Sequence, residues 1–509
     1  MTSNQQKTQL QPLLAFFDVS NMEFHMKSSG PSRKADSRIG AETIFETTTP
    51  LGSTVDNYGA FQSKDPILSI SKDNRNNKSH GDPGHGSNVH HPTSYLETMM
   101  HLFKGNVGSG IFALGDAFKN AGLLLAPPLT VILGVICVHA QHILINCNEE
   151  ICRRLGTTKD ARPGFAGTVE MCFETGPLSL RKYSVMMRKL VNIFLCATQL
   201  GFCCVYFVFI STNMKQVLDG YGFKMNVHLH MIVVLIPILL STWIRNLKYL
   251  VPVSSIANFL VVAGYVLSIY LMSQDLPSVK ERNYVADWRA IPLFFGTVIY
   301  SFEGITLVLP LKNEMKTPEK FSKPLGVLNV GMVIVGSMFV LMGFLSYLKY
   351  GDSVEGSVTL NLDSSAVVPS WLPQCIQIAI SLSILLTYAL QFYVPIAITW
   401  PSLVNTFGPF RWPAVAEICY RSAVCLLTFI LAEAIPQLGL FISLVGAVSS
   451  TALALIFPPI MEMVICSQQS TMSLNTMIKD LCILLIGVLG CVTGTYQSVA
   501  SIVEAFSVQ

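Results

Sequence analysis

The sequence predicts an all-α polytopic membrane protein with about eleven transmembrane helices, and three observations carry that prediction. Of 509 residues, 51% are hydrophobic and only 13% are charged, about half the charge of an ordinary soluble domain. From Tyr95 onward, apolar stretches recur that are each about 20 residues long, enough for a helix to cross a hydrocarbon core of roughly 30 Å. Two of these stretches are interrupted by glycines and small polar residues at matching positions.

The expected spans lie near 95–117, 121–145, 190–211, 229–246, 250–272, 290–311, 325–348, 373–399, 416–434, 437–463 and 477–501. Residues 1–92 are set apart from them: rich in Ser, Asn, Gly, Asp, Lys and His and without an apolar period, they read as a disordered cytosolic tail. Residues 93–501 form the membrane domain, and 502–509 a short external C-terminus. The longest connection within the membrane domain follows the second span and contains a short amphipathic piece, GFAGTVEMCFETG, expected at the interface. With the tail in the cytosol, inside connections carry seventeen Lys and Arg and outside connections seven, the bias of the positive-inside rule. The sequon at Asn77 then stays unglycosylated, and an odd span count puts the C-terminus outside.

Several function classes drop out. A net charge of +3 gives no reason to expect nucleic acid. No P-loop is present, which argues against ATP-driven pumping, and no CxxC pair or Cys/His cluster points to a metal. Neither an enzyme activity nor a cofactor is expected beyond protons as a coupling ion. The first residues are polar, so no cleavable signal peptide opens the chain. The Leu13–Leu14 pair lacks the acidic residue of a sorting dileucine, since Gln9 stands there.

A spanning helix normally avoids glycine clusters, because freed backbone groups find no water in lipid. The first span nevertheless contains Gly105-Asn106-Val107-Gly108-Ser109-Gly110, and the sixth contains Gly296-Thr297-Val298-Ile299-Tyr300-Ser301-Phe302-Glu303-Gly304. Five spans apart, the two helices must cross the membrane in opposite directions. Paired discontinuous helices of this kind build midplane sites in inverted-repeat transporters. Half-helix N-termini suit a carboxylate and unwound carbonyls suit a cation, so an amino acid matches both. The alternative is that the glycines only allow close helix packing. The candidate substrate site is therefore Asn106, Val107, Gly108, Ser109, Gly110, Thr297, Tyr300, Ser301 and Phe302, with Tyr206 and Thr387 as pocket walls. Tyr388 is a further aromatic that could line it or simply pack in the core.

Charged groups inside a bilayer are costly and mark function by default. Glu303, beside the second interruption, is the leading candidate for carrying a proton; its other possible role is as an acceptor for freed backbone N–H groups. Lys104 precedes the first interruption and could snorkel or pair with Glu303, which would compete with protonation. His101 lies one turn before the break, and histidine is the residue type suited to exchanging a proton near physiological pH. His139 and His142 share a face of the second span, where packing is the favoured role, and Glu433 belongs near the outer end of the ninth.

Five stretches carry a family resemblance: HLFKGNVGSGIFALGDAFKNAG, TQLGFCCVYFVFIS, IPLFFGTVIYSFEGITLVLPLKNEM, LTYALQFYVPIAI and FISLVGAVSSTALALIFPPIME. Over roughly residues 92–500 the chain resembles the proton-coupled amino-acid transporter family, within the amino acid/auxin permease group of the APC superfamily, and its insect-type members in particular. The resemblance implies a LeuT-like fold of five plus five inverted spans, about 95–272 and 290–463, with one added helix. It also implies proton-linked movement of small neutral amino acids such as proline, glycine and alanine, with His101 at the position of a histidine involved in proton coupling. Gly115-Asp116 departs from the Pro-Leu common in the family and adds a carboxylate near the outer mouth. The segment 212–228 has no cysteine, so a disulfide found in many members is expected to be missing, leaving Cys375 to pack.

The expected function is a secondary active symporter moving small neutral amino acids toward the cytosol with protons, at the plasma membrane, an endosomal–lysosomal membrane, or both. Sodium coupling or plain facilitation remains open, with Ser381, Ser383 and Thr387 as hydroxyls for a sodium site. An amino-acid-sensing receptor that signals through a cytosolic partner of the tail is the alternative of another class.

Overall fold

The computed structural model describes residues 92–157, 162–245, 250–364, 369, 371–469 and 472–508. Leu13–Leu14, Asn77, Lys159, Lys248 and the rest of the tail lie outside the described residues. The fold is helical throughout apart from one isolated bridge, Thr93 to Met315, among the described residues.

The first span is two helices, α1 (Tyr95–Asn106) and α2 (Ser109–Ala121). Ser94 and Glu97 open α1 with a reciprocal capping box, which satisfies two otherwise orphaned N–H groups. Next come α3 (Ala126–Leu155), started by a proline in its first turn and stopped by Gly156 in a left-handed conformation, and α4 (Phe165–Glu174). The amphipathic piece of the long connection is thus α4, burying Phe165, Val169, Cys172 and Phe173. Helices α5 (Ser184–Gly220), α6 (Val227–Thr242) and α7 (Leu250–Met272) complete the first five.

The sixth span is again two helices, α8 (Ile291–Ser301) and α9 (Ile305–Glu314). After it run α10 (Val327–Tyr350), α11 (Trp371–Phe407) and α12 (Pro413–Ala434). The tenth begins as α13 (Leu438–Val445), widens into π-helical turns at Gly446–Ser450 and Ala452–Ile456, and continues as α14 (Phe457–Gln469). The last helix, α15, runs Leu474–Val508. It absorbs the residues expected as a separate C-terminus, because the sequence from 502 to 508 contains no glycine or proline to stop it.

Nine helices among the described residues are long and apolar enough to cross a membrane. The two remaining expected spans fall on shorter pieces: the broken first, and α6, a 16-residue helix that contains Pro237. Burial sorts the spans into inner and outer. The most apolar windows of α5, of the broken sixth span and of the tenth are 72%, 72% and 78% buried, against 22% for α12 and 28% for α15. The broken helices and the π-bearing helix therefore form the centre, and the outer helices present apolar faces suited to lipid.

The broken helices run antiparallel along both halves. At the break Ser109 meets Tyr300 and Gly110 meets Ser301, while beyond the far end of α2 Leu123 N–H donates to Asn283 O (2.9 Å). In the other halves Asn106 rests on Gly304, while Thr93 N–H donates to Glu314 O and Lys316 N–H to Thr93 O, both 2.9 Å. The opposed directions expected from the five-span separation are present in this packing.

Candidate functional site

Helix α1 ends at Asn106 and α2 begins at Ser109, leaving Val107–Gly108 unwound; α8 ends at Ser301 and α9 begins at Ile305, leaving Phe302–Glu303–Gly304 unwound. Neither Gly108 nor Gly304 supplies a side-chain cap. The first-turn N–H groups of α2 and α9 thus keep the partial positive charge of a helix N-terminus, and the last carbonyls of α1 and α8 the negative end.

Glycine permits the two breaks to touch. A Cβ on Gly110 would stand 2.9 Å from Ser301 Oγ, and one on Gly304 2.5 Å from Asn106 Oδ1. Gly108 is the opposite case, since nothing lies within 4 Å of its Cβ position, so open space borders the first break. Ser301 Oγ sits 2.9 Å from Thr297 O and 3.1 Å from Gly110 O, so its one proton serves both breaks. Ser109 and Tyr300 share a buried hydroxyl–hydroxyl bond of 3.0 Å, and Phe202 of α5 packs edge-on against Tyr300 at 4.6 Å.

Four buried groups at this crossing have atoms with no hydrogen-bond partner among the described residues. They are Asn106 Oδ1, Thr297 Oγ1, Ser450 Oγ and both oxygens of Glu303. Asn106 spends its amide N–H on Leu102 O (2.9 Å), which leaves the carbonyl oxygen free. Glu303 is only 5% exposed. Ser450, on the first π-helical turn, and Cys137 of α3 are its neighbours. Buried polar groups in native proteins almost always find a partner. Unsatisfied buried atoms at the breaks of two helices mark a place for a ligand or for water.

The structure thus brings Asn106, Gly108, Ser109, Gly110, Thr297, Tyr300, Ser301 and Glu303 to one crossing. Val107 is buried in the unwound stretch between them. Phe302 turns away, packing on Phe339 of α10 at 5.0 Å and against Gly134 of α3. Tyr206 is buried on α5, its hydroxyl accepting a long 3.5 Å bond from Gln391 of α11. Thr387 donates to Ser383 O at 2.8 Å within α11 and makes no hydrogen bond with either break among the described residues. Of the other hydroxyls expected for sodium, Ser383 donates to Ala257 O (2.6 Å), and only Ser381 has a free Oγ among the described residues.

His101 is not part of this crossing. The helical turn that buries Leu102 leaves His101 on the exposed side of α1. Lys104 is half-buried and makes no ion pair among the described residues, so it does not hold Glu303. His142 pairs with Asn329 of α10 (2.7 Å), and Glu433 with His228 (2.6 Å). Asp116 faces Gly439 at the start of α13. Cys375 is exposed rather than packed. The sequence reading missed Ser450: Gly446 precedes it by four residues, but the π-helical widening over Gly446–Ser450 has no signature in the sequence.

Residues 91–500 match the sequence profile of transmembrane amino acid transporter proteins. The proton-coupled amino acid transporter-like protein pathetic of Drosophila melanogaster is 34% identical over 419 residues, spanning 82% of this chain and 87% of the relative. The probable amino acid transporter skat-1 of Caenorhabditis elegans is 27% identical over 447 residues, spanning 84% and 93%. Among solved structures, the inward-facing conformation of Mhp1 aligns with a TM-score of 0.49 at 12% identity, over 85% of this chain and 95% of that one.

Proposed function

The chain belongs to the transmembrane amino acid transporter family, and from that premise we propose that it carries small neutral amino acids together with protons through the crossing of its two broken helices. The observation that carries this reading is Glu303, buried in the unwound stretch of the sixth span with both oxygens unpartnered among the described residues.

An α-amino acid fits the ends that the breaks expose. Its carboxylate faces the uncapped N-termini of α2 and α9, and its ammonium group the last carbonyls of α1 and α8. Each helix end contributes about 0.3–1 kcal/mol when exposed and up to ~2 kcal/mol when partly buried. An ionised carboxylate with no donor in such surroundings costs several kcal/mol, more than the helix ends supply. The state of Glu303 therefore decides whether a second carboxylate can enter. With a proton on Glu303, the substrate carboxylate has the positive ends to itself. Without one, two anions compete for them. Proton and substrate then load together, and release of either on the cytosolic side weakens the hold on the other. The groups closing the site are hydroxyls, an amide and the Tyr300 and Phe202 rings, which favours uncharged side chains. The tight Gly110–Ser301 contact favours small ones.

The seventeen-to-seven distribution of basic residues supports a cytosolic N-terminus. Purified protein in liposomes, given labelled proline, glycine or alanine, tests the function. Uptake is expected to rise with an inward proton gradient and to ignore sodium. Uptake that follows sodium and ignores the proton gradient would replace this reading with sodium coupling, for which Ser381 would be the first residue to mutate.

A further inference from the structure

At the inner end of the molecule, as the charge bias orients it, a second group of buried charges sits apart from the Glu303 crossing. Asp480 lies in the second turn of α15, about 9 Å along the axis from its start at Leu474. It is 0% exposed, and neither of its oxygens has a hydrogen-bond partner among the described residues. Lys479 Nζ stands 3.2 Å from Asp480 Oδ1, outside hydrogen-bond geometry, because the lysine instead donates to Glu462 Oε2 of α14 at 2.8 Å. Glu462 is itself 5% exposed. Two buried carboxylates thus share one cation.

The groups facing them from neighbouring helices supply no second positive charge. Cys147 of α3 faces both acids and His139 of α3 faces Lys479, while Cys172 of α4 and Cys466 of α14 stand beside Cys147, and Arg154, near Cys172, is paired with Glu150. His139 has Nε2 unpartnered among the described residues. A buried carboxylate in excess over its cation needs compensation, and the smallest one that fits a packed interior is a proton held between the two acids. We propose that Asp480 and Glu462, bridged by Lys479, bind one proton at a site separate from Glu303. The same contact fastens the inner end of α15 to α14, and α14 continues through the π-helical turns to Ser450. Farther along α15, Gly490 packs on Phe295 and Gly494 on Ala447 of the π turn. A proton here thus sets the charge of the clamp that seats an outer helix on the central one.

Thermal unfolding of the full-length protein in detergent, in a Glu303→Gln background that removes the buried carboxyl of the crossing, tests the proposal across acidic to alkaline pH. A folded state that holds a proton the unfolded chain releases loses stability as pH rises. The midpoint of the background protein should fall by a few degrees from mildly acidic to mildly alkaline pH. Asp480→Asn, which mimics the protonated acid, should match the background at acidic pH and remove most of that fall. Glu462→Gln, which leaves one carboxylate for one lysine, should also flatten it. An unchanged pH profile in both variants would overturn the proposal. So would a loss of midpoint in Asp480→Asn that is equal at every pH, or its failure to fold, since either shows that an ionised aspartate is required.

Discussion

Single residues decide whether the breaks can meet. A methyl group on Gly110 collides with Ser301, and one on Gly304 with the Asn106 amide. Gly110→Ala and Gly304→Ala are each expected to lower uptake at least about tenfold, equivalent to about 1.4 kcal/mol, while the protein still reaches the membrane; uptake normalised to surface protein checks this. Tyr300→Phe leaves the Ser109 hydroxyl without its buried partner, a loss of about 1–3 kcal/mol in thermal stability. The glycine clusters made these positions legible, because glycines inside an apolar span need a reason. Pairing across the breaks was not legible, since it depends on which side chains the unwound turns aim inward. His101 shows the same limit: its distance from the break was readable, but the face of α1 it occupies was not.

At the scale of elements, hydropathy placed the spans to within a few residues at many ends, and the antiparallel course of the broken pair follows from span parity. Helix ends were less legible where no punctuation exists. Helix α5 overruns its expected span at both ends, to Ser184 and Gly220, and α15 runs on to Val508. Ion pairs joining helices were invisible because their partners lie far apart in sequence. Glu417 of α12 pairs with Arg421 of its own helix (Nε–Oε1 2.9 Å) and with Arg245 just past α6 (Nη2–Oε2 2.7 Å), and Arg421 also donates to the Thr242 carbonyl at the end of α6 and to the Ile244 carbonyl beyond it. Glu417→Ala should cost about 3–5 kcal/mol by leaving the Arg421 side chain, 4% exposed, without its carboxylate. The Arg188–Glu170 pair joins α5 to α4 with side chains 23% and 16% exposed. Glu170→Ala should cost under about 1 kcal/mol. Thermal shifts of the two variants, compared directly, check the ranking.

For the whole molecule, the charge distribution and the paired breaks give a topology and a mechanism that must agree. A glycosylation acceptor placed in the connection between α7 and α8, residues 273–290, is expected to be glycosylated, whereas one at 408–412, between α11 and α12, is expected to remain bare. The reverse pattern would invert the direction of transport. The central claim is that Glu303 carries the coupled proton, and Glu303→Gln in sealed liposomes tests it most directly. A glutamine keeps the size and polarity of the carboxyl group but cannot exchange a proton. The account predicts that this variant still exchanges labelled for unlabelled amino acid across the membrane, while accumulation driven by an inward proton gradient disappears. Gradient-driven accumulation at the unmutated level would contradict it.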